Sequence, residues 1–114
     1  MATDYFIKQG DTSPPIVAIL KDATLSPVDL TGISGIKFIM TNKATAVKRV
    51  DAPAVVVDAA GGRVRYDWAT GDTDIPGGYK GEFEVHWPDG TYETFPNSKY
   101  INIKVTADLG GAVG

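Results

Sequence analysis

The chain has 114 residues, 43% of them hydrophobic and 22% charged, the balance of one soluble domain long enough to bury its own core. Its lack of cysteine excludes disulfides and thiolate metal sites. A formal net charge of -3 argues against a nucleic-acid partner, and no stretch approaches the ~20 apolar residues of a membrane helix.

Met1 to Tyr5 has neither the basic start nor the apolar core of a secretory signal, so no secretory route is expected. Tyr5 to Lys8 is the first predicted strand. It is stopped by Gln9 to Pro15, where two prolines stiffen the backbone and cannot donate to a ladder. Ile16 to Lys21 follows, with Ile16, Ala18 and Leu20 on one side and Val17 and Ile19 on the other, so a strand covered on both faces is expected. Asp22 to Pro27 is a turn cluster, and Val28 to Leu30 is a brief extended piece. In Gly35 to Thr41, Ile36, Phe38 and Met40 alternate with Lys37 and Thr41.

Ala44 to Val50 reads as an edge strand, given Lys48 and Arg49. Pro53 to Asp58 is short and β-branched, and Ala59 to Gly62 turns the chain into Arg63 to Trp68. There Val64, Tyr66 and Trp68 face one way. Thr70 to Asp74 has room for one helical turn. Tyr79, Gly81, Phe83, Val85 and Trp87 then alternate with Lys80, Glu82, Glu84 and His86. Pro88-Asp89-Gly90 reverses the chain into Thr91 to Phe95, Pro96 to Ser98 breaks it, and Tyr100 to Val105 alternates again. The last three segments predict a three-strand meander.

Eight or nine short, mostly antiparallel strands near ten-residue spacing predict an all-β fold, an immunoglobulin-like β-sandwich over residues 1–106. Residues 107–114 form a Gly-rich tail whose apolar anchors are Leu109 and Val113. Ends of that composition are ordinarily disordered unless something ties them down, and a neighbouring subunit is the expected anchor.

Few constellations carry chemistry. Asp74 to Tyr79 resembles a tyrosine corner, in which a Tyr hydroxyl bonds upstream backbone and its ring enters the core. Tyr79 is therefore read as structural, along with Phe83, Trp68 and Trp87, which alternate in phase with core positions. Asp72 and Asp74 form an Asp-x-Asp pair; too few oxygen donors accompany it for a calcium loop, and turn capping is the preferred role. His86, the single histidine, lies on a polar strand face without a nucleophile-elbow serine, so no catalytic residue is assigned. Lys43, Lys48, Arg49, Arg63 and Arg65 would cluster into a basic patch if their strands paired. Trp68, Trp87, Tyr92 and Tyr100 raise the alternative of a carbohydrate platform.

Two stretches carry a resemblance. Phe6 to Pro15, with Leu20-Lys21-Asp22 and Pro27 to Gly32, is similar to the amino-terminal domain of the phage baseplate upper protein family. So are Gly71 to Asp74, Gly78-Tyr79, Glu82 to Val85 and Pro88 to Thr91 with Glu93 to Pro96. The resemblance spans about residues 5 to 105. It implies a non-enzymatic structural subunit of a tailed-phage virion, at baseplate, tail or neck, assembled in the host cytoplasm. The implied partners are other virion proteins and further copies of the chain, with no nucleic acid, membrane, metal or cofactor. A capsid decoration protein and a carbohydrate-binding module for host-surface adhesion are the alternatives. Partner contacts are expected on Gln9, Asp11, Pro14 and Pro15, on Asp72 and Asp74 of the 72–78 loop, and on Leu109 and Val113.

Overall fold

Period-two alternation decides which side chains enter the core, and the computed structural model, which describes residues 3–96 and 100–107, follows it closely. Nine strands are found among those residues: β1 (Thr3–Lys8), β2 (Ile16–Ile19), β3 (Gly35–Asn42), β4 (Lys48–Pro53), β5 (Val55–Asp58), β6 (Arg63–Tyr66), β7 (Gly77–His86), β8 (Tyr92–Phe95) and β9 (Ile101–Thr106). The larger sheet runs β1-β9-β7-β3-β4, with β8 also on β7; the smaller runs β2-β6-β5. β1 joins β9 in parallel, and the other pairings are antiparallel. The fold is an immunoglobulin-like β-sandwich.

Phe38 is the hub of the core. Its ring, fully buried on β3, stacks on Tyr66 of β6 at 4.7 Å and meets Phe83 of β7 at 5.1 Å. Trp68 presents its edge to Phe38 at 5.8 Å. These contacts tie the two sheets together. Each such pair contributes about 0.5–1.5 kcal/mol beyond the burial of its area. Gly81 packs tightly beside this cluster: a Cβ there would sit 2.6 Å from Ile103 Cδ1 and 3.3 Å from the Phe38 ring, so Ile103 would have to shift.

The tyrosine corner is present. The Tyr79 hydroxyl donates to the Ile75 carbonyl at 2.6 Å while its ring is 1% exposed. Phe83 is fully buried, Trp68 is buried, and Trp87 is half-buried with its N–H donating to Glu93 at 3.2 Å.

Several expectations are corrected. The meander does not form, because β9 pairs with Gly77 to Gly81 of β7 while β8 pairs with Phe83 to His86. β8 and β9 therefore share one edge of β7 end to end, and a ten-residue strand has room for both. β2 is not covered on both faces: among the described residues no layer lies outside the small sheet, and Val17 and Ile19 are 47% and 40% exposed. The strand expected over Ala44 to Val50 begins only at Lys48. Before it, the Asn42 side chain accepts the Ala44 and Thr45 amides and Ala46 adopts φ 59°, a turn. β5 starts at Val55 rather than Pro53. Thr70 to Asp74 is a turn, not a helical one.

Candidate protein-docking site

The sharp stop after β1 places the first expected contact segment. The Gln9 amide donates to the Thr106 carbonyl at 2.7 Å, extending the parallel ladder one step, and Asp11 N–H returns to Lys8 at 3.1 Å. The segment then lies against the second expected region, the loop between β6 and β7. Gly10 N–H donates to the Thr73 carbonyl at 3.1 Å, Thr73 Oγ1 to the Asp11 carbonyl at 2.8 Å, and Gln9 Nε2 to the Asp74 carbonyl at 2.9 Å. Thr73 is 1% exposed, a polar side chain buried with its hydroxyl satisfied. Because Gln9 is bonded to Thr106, β9 delivers the start of the third region, Ala107, to the same end.

The loop is held from several sides. Asp72 Oδ2 accepts the Tyr66 hydroxyl at 2.5 Å and the Ala69 amide at 2.8 Å. Arg49 reaches from β4 to donate to the Gly71 carbonyl at 2.5 Å. Lys43 N–H bonds the Gly78 carbonyl at 3.0 Å. On the other side the Tyr5 hydroxyl donates to the Pro14 carbonyl at 2.6 Å and accepts Trp68 Nε1 at 3.3 Å. Burial raises the Tyr5 pKa, partly offset by the Trp68 bond. Burial also raises that of Tyr66, reinforced by its bond to Asp72 and the Asp72 charge.

Three of the expected contact residues, Asp11, Pro14 and Asp74, are exposed here, joined by Ile75, which is 50% exposed, and Pro76. Gln9 and Pro15 are half-buried, and Gln9 has its amide engaged. Asp72 has its carboxylate committed inside the loop, so it shapes the surface instead of presenting a charge. Leu109 and Val113 lie outside the described residues.

The basic cluster does not form, because β4 and β6 belong to different sheets. Lys48 pairs with Asp51 at 3.2 Å, Arg49 is spent on the loop, and Arg65 lies 3.0 Å from Asp67. The aromatic platform does not form either. Trp68 is between the sheets, Tyr92 is 65% exposed beside His86, and Tyr100 lies under Lys43 and Lys80. His86 is at the far end of β7, roughly 30 Å away along a ten-residue strand, with Nε2 2.8 Å from Glu84 and its ring 4.1 Å from Tyr92. Among the described residues, no group of three or more His, Cys, Asp or Glu is placed to hold a metal ion.

Sequence reasoning missed Thr73, Tyr5 and the anchoring role of Arg49. It also missed a legible signal. Asp22-Ala23-Thr24, Asp29-Leu30-Thr31 and Asp89-Gly90-Thr91 each use one carboxylate oxygen to accept the amide and the hydroxyl of the Thr two positions on. That Asp-x-Thr spacing marks a side-chain-locked turn.

No protein-family model matches the chain, and no curated protein matches it. Among solved structures it is similar to CopC from Methylosinus trichosporium OB3b, with a TM-score of 0.51 at 14% identity. The match covers 94% of this chain and 86% of that one. At that identity the likeness is one of fold, the β-sandwich.

Proposed function

We propose that this chain is a non-enzymatic structural subunit of a tailed-phage virion, docking into a symmetric, multi-copy assembly at the tail, baseplate or neck. The resemblance carries the phage setting. One structural observation supports docking: segments 9–15 and 72–78 are hydrogen-bonded to each other, and β9 ends beside them. Loops already held in one conformation lose little entropy when they bind, which makes such an end well suited to protein contact. The exposed edges β1, β4, β2 and β5 offer further backbone contact by strand addition. The dispersed aromatic side chains leave the carbohydrate-binding alternative without a platform.

Imaging particles assembled with labelled chain tests the reading. Signal at the tail, baseplate or neck supports it. Signal spread over the head makes the chain a capsid decoration protein, and the absence of incorporation overturns a virion role.

A further inference from the structure

The free edge of β1 is unlike the other strand edges. β2, β5 and β8 are each four residues long. β4 slips register against β3 and ends on Pro53. Short length, irregular register and proline are devices that keep an edge from recruiting another chain. β1 instead runs six residues without proline, in unbroken register with β9.

The neighbouring bonds fix the direction of the β1 backbone. Gln9 N–H donates to Thr106 at the end of β9, and strand alternation turns Ile7 and Tyr5 the same way. Asp4, Phe6 and Lys8 therefore aim their amides and carbonyls at the open side. The Lys8 carbonyl accepts the Asp11 amide there, in the turn that ends the strand. Among the described residues, no strand or backbone bond meets Asp4 or Phe6 on that side.

The side chains of the same three residues stand together on the outer face. Phe6 is 68% exposed, between exposed Asp4 and Lys8. Asn102, Lys104 and Thr106 of β9 stand beside Asp4, Phe6 and Lys8 in turn. Asn102 Nδ2 donates to Asp4 Oδ1 at 3.1 Å, and Lys8 has no ion pair among the described residues. Asp11, the other nearby charge, lies beyond the turn.

Acid, aromatic, base is its own complement when the direction is reversed. An antiparallel copy of β1 centred on Phe6 sets Asp4 opposite Lys8 of the second copy, Lys8 opposite its Asp4, and Phe6 on Phe6. Cross-strand pairs of opposite charge and of aromatic rings are the favourable ones. The backbone can bond in this register, since Phe6 exchanges amide and carbonyl with its equivalent and Lys8 N–H meets the Asp4 carbonyl. Sliding by two residues either way sets Phe6 against a charge and loses both ion pairs. We infer that two copies of this chain pair antiparallel through β1, joining their larger sheets into one across a two-fold axis at Phe6. Such a contact closes on itself and removes the open edge from both copies. The inference deepens the proposed docking by sheet edges, and rests on it, by naming the edge, the partner and the register.

Sedimentation velocity of the full chain, up to about 1 mM at low salt, tests it. Wild type is expected to reach dimer and stop there. Asp4→Lys and Lys8→Asp each set like charges across the axis, so either alone is expected to weaken dimerisation at least tenfold. An equimolar mixture of the two should restore it, because position 4 of each again faces an opposite charge at position 8 of the other. The chain has no cysteine, so single cysteines report the register. Phe6→Cys is expected to cross-link under mild oxidation, since the Cα atoms of such a pair lie about 5.5 Å apart. Asp4→Cys should cross-link at least tenfold more slowly, because it faces position 8 and not itself. All three side chains are exposed, so these substitutions leave the core intact. A wild type that stays monomeric or grows past dimer, a mixture that stays dissociated, or cross-linking that favours position 4 overturns the proposal. Failure of the virion reading looks different: the chain would pair through β1 and still be missing from particles.

Discussion

Gln9 and Asp74, 65 positions apart, are joined by a side-chain amide donating to a backbone carbonyl at 2.9 Å. That bond, with Thr73 Oγ1 on the Asp11 carbonyl, makes one surface of two loops.

Charge reversal at that surface should separate docking from stability. The side chains of Asp11 and Asp74 are exposed and make no hydrogen bond among the described residues. Asp11→Lys with Asp74→Lys is expected to shift stability by no more than about 0.5 kcal/mol. Incorporation into particles should drop at least tenfold. Normal incorporation would remove this end from the interface.

Tyr66 should make stability fall in alkaline solution. Burial, then the bond to Asp72, raises its pKa, so the folded chain keeps a proton that the unfolded chain loses. Its contribution is complete below the ordinary tyrosine value of about 10 and declines as pH rises beyond it. Tyr66→Phe is expected to start about 1–2 kcal/mol less stable, from the lost hydrogen bond. It should then lose less than wild type between about pH 9 and 11. Tyr5, shifted the same way, is present in both proteins, so parallel melting curves would exclude Tyr66 as the source.

The turn between β5 and β6 should reject any side chain at Gly62. Its φ is 68°, and a Cβ would lie 2.8 Å from both the Leu20 and Val28 carbonyl oxygens. Backbone cannot step aside as a flexible side chain can. Gly62→Ala is expected to cost at least ~2–3 kcal/mol, against ~1 kcal/mol for Gly10→Ala, where φ is also positive but the space is open. Equal urea midpoints for the two would refute the close approach.

Glu82 should weaken the isolated chain at neutral pH. Its raised pKa means the fold favours the neutral carboxyl. That preference is fully expressed below the ordinary glutamate value of about 4.3 and is lost as pH rises through the folded value. Glu82→Gln is therefore expected to melt slightly higher than wild type at pH 7 and to converge with it below about pH 4. A lower melting point at pH 7 would mean that the carboxylate is already paired.

Much of the sandwich was legible locally. Alternation through Tyr79 to Trp87 identified the buried face, Tyr79 the corner, and Gly61-Gly62 the turn, because side-chain direction and backbone freedom are properties of neighbouring residues. The strand at Ala44 was misplaced for a local reason too: the Asn42 cap and the φ of Ala46 outcompete extension. Strand order was beyond that reach. Nothing in Thr91 to Val105 says that β8 and β9 share an edge of β7, since a ladder's partner is chosen by the whole sheet.

Residue types and turn chemistry, acting over a few positions, determined the strands, their inward faces and the absence of cysteine chemistry. Tertiary structure alone decided that Arg49 holds the 69–74 turn instead of joining a basic patch. It also left Val17 and Ile19 uncovered, and it brought Gln9, Thr73 and Thr106 together. Each of these depends on which segments meet across the sandwich, and that is settled by burial summed over the whole chain.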